Sequence, residues 1–120
     1  MKKLKCHCGA VEAEINVEKK LNNFLRCNCS LCKRKGTIMS MVKNEDFKIT
    51  KGKEKLSLYQ FHSRVAKHYF CSICGIYTHH NPRSNPAMTG FNLGCLDEID
   101  TFTLDDVPVN DGNNHPLDKK

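Results

Sequence analysis

Eight cysteines in 120 residues, seven of them in three tight groups, constrain this chain more than any other feature. The groups are Cys6 and Cys8; Cys27, Cys29 and Cys32; and Cys71 and Cys74, with Cys95 apart. Close pairs of this kind turn two sulfurs toward one point, as a tetrahedral Zn²⁺ with Zn–S of about 2.3 Å requires. They are poorly placed to bond to each other. The first residues, Met1 to Cys6, are basic, but no apolar run follows them, so no secretory signal is read here. Without export, clustered thiols hold metal more often than they form disulfides. The expected setting is soluble and cytoplasmic. No apolar stretch approaches the ~20 residues that span a bilayer, so no membrane partner is expected.

The outer pairs, Cys6 with Cys8 and Cys71 with Cys74, supply two sulfurs each. Taken together they make a four-sulfur site with no position left for water or substrate, which is a structural zinc. Such a site would pin the opening hairpin to a strand from the second half of the chain. The bland reading makes each pair a set of buried packing cysteines. Cys27-Asn28-Cys29-Ser30-Leu31-Cys32 is different: three sulfurs in six residues with no adjacent fourth ligand. Three protein ligands and a vacancy are what catalytic zinc uses, and such an ion holds an incoming thiol as its nucleophilic thiolate. The alternative is a second structural zinc, for which Cys95, His62, His68, His79 and His80 are eligible fourth ligands. A redox reading of Cys29 and Cys32 lacks the βαβ context it needs. Two zinc ions per chain are expected.

Hydrophobic residues make up 39% and Trp is absent, so the single core is lean and structural zinc would support it. Short, turn-punctuated segments point to a mainly β, antiparallel domain. Residues 4–8 and 10–15 read as a hairpin bent at Gly9, with Val11, Ala13 and Ile15 on one face. Strands are expected over 23–26, 37–42, 68–71, 76–79, 91–93 and 100–104. Residues 47–50 and 56–61 read as a hairpin turning at Lys51-Gly52-Lys53. Residues 81–90 hold two prolines and a glycine and read as a substrate-facing loop. No long amphipathic helix is expected. One domain spans 1–109, followed by a polar tail over 110–120.

The formal charge of +6 falls to about +3 once a zinc on four thiolates and a zinc on three are counted, adding −2 and −1. With 8% aromatic residues and no RNA-binding motif, this argues against a nucleic-acid partner. Oligomeric state is not legible. His79 and His80, just after the third cluster, are candidate proton relays; the competing reading is an exposed pair at a strand end. Lys33, Arg34 and Lys35 follow the middle cluster as candidate cations for substrate carboxylates, or as a solvated basic turn. Arg83 can present a bidentate fork to a carboxylate. Cys95 defaults to a buried small hydrophobe, and alternation points His7 away from its cysteine neighbours.

Three pieces in order, Cys6-His7-Cys8-Gly9-Ala10-Val11, Cys27-Asn28-Cys29-Ser30-Leu31-Cys32-Lys33 and Phe70-Cys71-Ser72-Ile73-Cys74-Gly75, carry a resemblance. The chain resembles the family of glutathione-dependent formaldehyde-activating enzymes and centromere protein V. Pro82-Arg83-Ser84-Asn85-Pro86 and Gly94-Cys95-Leu96-Asp97-Glu98 look closer to the centromere protein V branch. The resemblance implies an Mss4-like β fold stapled by zinc. It also implies a structural zinc at Cys6, Cys8, Cys71 and Cys74 and a catalytic zinc at Cys27, Cys29 and Cys32. It further implies carbon–sulfur bond chemistry on a small thiol such as glutathione with formaldehyde. The rival expectations are a non-catalytic zinc scaffold for a protein or nucleic-acid partner, and a redox or metal sensor.

Overall fold

Short alternating segments separated by glycine turns pair into antiparallel sheets, and the order of pairing decides which cysteines meet. A computed structural model describes residues 1–17, 21 and 23–112. Strands β1 (Lys2–Lys5) and β2 (Glu12–Ile15) form the expected opening hairpin, with Leu4 opposite Ala13. The alternation holds: Val11, Ala13 and Ile15 are fully buried, whereas Glu14 is exposed. Strand β5 (Phe47–Lys51) adds to β2, with Ile49 opposite Ala13. A second, five-stranded sheet runs β4 (Met39–Lys43), β9 (Met88–Asn92), β8 (Tyr77–Asn81), β7 (Lys67–Cys71), β6 (Leu56–Tyr59), antiparallel throughout. The fold is mainly β, as expected. One helical turn and a half, α1 (Ser30–Lys35), follows the two-residue strand β3 (Arg26–Cys27), which pairs in parallel with β10 (Val109–Asn110).

Several local expectations are corrected. Residues 47–50 and 56–61 are not a hairpin: β5 belongs to the first sheet and β6 to the second. Gly52 makes the transfer at φ +75°, where a Cβ would lie 1.9 Å from the Ala10 carbonyl oxygen. Only glycine fits a left-handed position that close to another backbone. Residues 100–104 are not a strand. They hold a 3₁₀ turn (Thr101–Thr103) whose cap, Asp100, accepts the Phe102 N–H at 3.0 Å, a local bond that competes with sheet pairing. The polar loop is shorter than 81–90, because Asn81 ends β8 and Met88 begins β9. At the end of the chain, Asn110 belongs to β10, while residues 113–120 lie outside the described residues.

The core lies between the first sheet and one face of the second. Leu4, Ala13 and Ile15 pack with Val42, Phe91, Leu93 and Leu96, and Phe47 and Ile49 flank them. On this core face, Phe91, His79 and Tyr69 stand side by side across β9, β8 and β7. The His79 ring stacks on Tyr69 at 4.6 Å between centroids and meets Phe47 at 4.8 Å. Its Nδ1 lies 2.9 Å from the Thr78 hydroxyl. Burial pushes the ring down to about 4, so it is neutral in the folded chain.

A neutral buried histidine costs stability in acid. The unfolded chain takes up the proton near pH 6.5 while the folded chain refuses it until about 4, so stability falls as pH drops through that window. His79→Phe removes this contribution. In urea unfolding with zinc in excess, the wild type is expected to lose up to about 2 kcal/mol more than the variant between pH 7.5 and pH 5. Parallel losses in the two proteins would contradict the assignment.

Candidate functional site

Two turns of the same design bring four cysteines together. Cys6 N–H donates to the Val11 carbonyl at 3.1 Å and Cys71 N–H to the Ile76 carbonyl at 3.0 Å, closing each turn beside its glycine, Gly9 or Gly75. The Sγ atoms of Cys6, Cys8, Cys71 and Cys74 all lie within 4.8 Å of one another. Cys8 stands 3.7 Å from both Cys6 and Cys71, sulfur to sulfur. A tetrahedron with metal–sulfur bonds of about 2.3 Å has edges of ~3.8 Å. The donor set therefore fits zinc. The Val11 N–H adds a bond to the Cys6 sulfur at 3.3 Å. His7 is exposed and outside the group.

The second group is built on α1. Cys27 ends β3, Cys29 caps the helix and accepts the Cys32 N–H at 3.3 Å, and Cys32 is buried on the first turn. Gly36, in the left-handed conformation, ends the helix. The three sulfurs lie within 4.8 Å of one another, and among the described residues no fourth His, Cys, Asp or Glu joins them. The Cys32 thiol donates to Cys27 and holds it down to about 5, while that bond and burial push Cys32 far up. Only a cation lets three sulfurs this close stay thiolates together. Soft thiolates in this number fit zinc as well. The C-terminal strand closes over the group: Asn28 N–H donates to the Asn110 carbonyl at 3.1 Å, and Gly112 N–H to the Asn28 side chain at 2.8 Å.

The three sulfurs open onto a cavity of about 600 Å³. Its floor is the second face of the five-stranded sheet, carrying Met39, Met41, Met88, His68 and His80. Phe61 to Ser63 and Pro82 to Asn85 form its rims. A register shift between β7 and β8 sets Tyr77 opposite Phe70, which puts it on His80's face three residues away. The Tyr77 hydroxyl meets His80 Nδ1 there. Lys35 of α1 stands behind this face, outside the cavity lining, 3.1 Å from His68 Nδ1 and 3.8 Å over the Tyr77 ring. Burial, with Lys35 nearby, pushes His80 down to about 3 and His68 to about 4. Burial also lowers Lys35.

The sequence candidates thus divide. His80 lines the cavity, but His79 faces the core and has no part in it; both are buried, so the exposed-pair reading fails. Arg83 lines the cavity. Lys33 and Arg34 are exposed, with Arg34 bonded to the Ser30 carbonyl at 2.8 Å, and neither lines the cavity. Their charges lie in the last turn of α1, where cations offset the carbonyl ends. Cys95 is a core residue, its thiol pushed up to about 12 by burial. His62 and His68 line the cavity without joining the sulfur group. Tyr77 and the three methionines were not singled out from sequence. The alternation of Met39 and Met41 was a usable signal; the shift that turns Tyr77 was not.

Antiparallel sheets and two all-cysteine groups that could each hold zinc, one facing a cavity, define a small metal-binding β domain with a site for a ligand. The sequence model described as glutathione-dependent formaldehyde-activating enzyme matches residues 1–107, and the chain belongs to that family. The Mss4-like fold expected from the resemblance agrees with this membership. A crystal structure of a Rhodobacter sphaeroides protein is 44% identical, covers 90% of this chain and 99% of its own, and superposes with a TM-score of 0.85. Among the described residues, no helix is long and apolar enough to cross a membrane.

The close pass of the last strand gives a direct test of the second group. A Cβ at Gly112 would lie 2.5 Å from the Cys27 sulfur and 2.7 Å from Cys29 Cβ. Gly112→Val is expected to lower bound zinc from two to about one per chain by metal analysis, with the far-ultraviolet circular dichroism unchanged. Two ions retained at wild-type affinity would show that the strand does not press on the sulfurs.

Proposed function

We propose that this chain is a zinc-dependent carbon–sulfur lyase or synthase acting on a small thiol–aldehyde adduct of the glutathione and formaldehyde type. The observation that carries the reading is the three-sulfur group facing an open cavity, with no fourth donor beside it among the described residues. Family membership supports a glutathione-related role. In this reading Cys6, Cys8, Cys71 and Cys74 hold a structural zinc, and Cys27, Cys29 and Cys32 hold the second. That zinc, when bound, supplies Lewis acidity and stabilises a substrate thiol as thiolate. The branch carrying Pro82-Arg83-Ser84-Asn85-Pro86 is read as the centromere protein V side of the family, and a reducing, cytoplasmic setting goes with eight free cysteines.

The chain's own residues do the rest. In the synthetic direction a bond forms between the thiol sulfur and the aldehyde carbon, and the thiol proton ends on the former carbonyl oxygen; lysis reverses both. His80, kept neutral by burial and with Nδ1 tied to Tyr77, offers its other ring nitrogen to that oxygen. A protonated Lys35 fixes His68 Nδ1 as acceptor and leaves its other nitrogen as donor. Arg83 lines the rim, and in this reading its guanidinium takes a substrate carboxylate. The walls bring thiol and aldehyde together, and proximity provides much of the rate because the two already combine unaided.

The test combines metal analysis with nuclear magnetic resonance detection of S-hydroxymethylglutathione from glutathione and formaldehyde. Two zinc ions and turnover above the uncatalysed rate are expected. Cys29→Ala should lose at least about 100-fold in rate while keeping one zinc and its fold. Two ions with no acceleration would favour a non-catalytic zinc scaffold instead.

A further inference from the structure

The cavity is far larger than formaldehyde needs. Two heavy atoms occupy little more than a water's share of liquid, about 30 Å³, but the cavity of about 600 Å³ must also take the thiol, so its lining rather than its volume bears on the aldehyde. What lines the space is uneven. Polar groups able to hold a peptide thiol sit on the rims, Arg83, Ser84 and Asn85 on one and His62 and Ser63 on the other. The floor carries Met39, Met41 and Met88, and Leu25 and Phe61 add apolar wall. Phe61, His68 and His80 continue as near-parallel rings, with centroids 5.8 and 5.6 Å apart and tilts of 28° and 14°. Thioethers and ring faces give a charged tripeptide no hydrogen-bond partners, but they accept alkyl and aryl groups readily. The floor and the sulfurs of Cys27, Cys29 and Cys32 line the same cavity, so a group attached to the reacting carbon shares that space with the thioethers.

We infer that the aldehyde partner is a larger, apolar one, alkyl or aryl, so that the substrate is the hemithioacetal of a glutathione-type thiol with an aldehyde of several carbons. This rests on the lyase reading above and specifies its substrate class. The step balances without any oxidant or reductant. The sulfur–carbon bond forms as the carbonyl π bond breaks, and the thiol proton moves to the oxygen.

Unreactive thioethers test the floor independently of turnover. S-methyl-, S-butyl- and S-hexylglutathione are titrated calorimetrically into the zinc-loaded full chain. Affinity is expected to rise up to about fourfold for each methylene that is fully buried, and at least roughly tenfold from methyl to hexyl even if no more than two of the five added methylenes are buried. Met41→Gln should shrink the hexyl-to-methyl ratio severalfold, and the wild-type series stands as a test even if that variant does not fold. Equal affinities along the series, tighter binding of the methyl compound, or no binding at all would overturn the inference. A protein that turns over formaldehyde yet binds methyl and hexyl compounds alike would sink this inference and keep the lyase reading. One that prefers hexyl but accelerates no adduct with formaldehyde, hexanal or benzaldehyde would sink the lyase reading and the aldehyde assignment with it, leaving only an apolar subsite beside the thiol.

Discussion

The sulfur group of Cys6, Cys8, Cys71 and Cys74 joins two turns 63 residues apart in the chain at their nearest sulfurs. One turn belongs to the β1–β2 hairpin of the first sheet and the other to the β7–β8 hairpin of the second. Among the described residues a small apolar cluster surrounds the junction: Val11, with Ala10 and Leu56 beside the cysteines. A few such side chains contribute on the order of a few kcal/mol. A structural zinc in a small domain provides on the order of 10–16 kcal/mol of apparent binding energy. In the zinc-bound form, metal binding would therefore outweigh packing at this junction, while the main core around Leu4, Ile15 and Phe91 holds the rest of the contact between the sheets.

The five-stranded sheet serves two purposes through its two faces. One face, with Phe91, His79 and Tyr69, closes the core; the other, with Met39, Met41, His68 and His80, lies open to the cavity. Adjacent residues of β8 accordingly have unrelated roles. His79 is packed between rings as a neutral aromatic. His80 is equally neutral but faces the space beside the thiols. Gly90, its partner on β9, has no side chain, and this leaves room for the imidazole: a Cβ there would come within 2.2 Å of the ring.

Much of this was legible in the sequence because cysteine spacing and period-two alternation are local. The grouping of Cys6 with Cys8 and of Cys71 with Cys74, the three-sulfur group, and the buried face of Val11, Ala13 and Ile15 needed no knowledge of distant contacts. What escaped depends on long-range pairing. Gly52 signals a turn equally well within one sheet or between two, and only the approach of Ala10 decides which. Strict alternation would separate Tyr77 from His80, whereas the register shift in β8 unites them. The basic run Lys33-Arg34-Lys35 carries no sign of which member turns inward. The six-residue helix that directs Lys35 to His68 arises from a cysteine cap and Gly36, too short to leave a periodic trace.

The account depends on one zinc being sealed by protein sulfur while the other keeps a place for a substrate thiol. X-ray absorption at the zinc edge, on freshly isolated protein containing two ions, measures this directly. It should give an average of about 3.5 sulfurs per zinc, rising toward four when glutathione adds its own. Four sulfurs per zinc before addition, unchanged by the thiol, would contradict it.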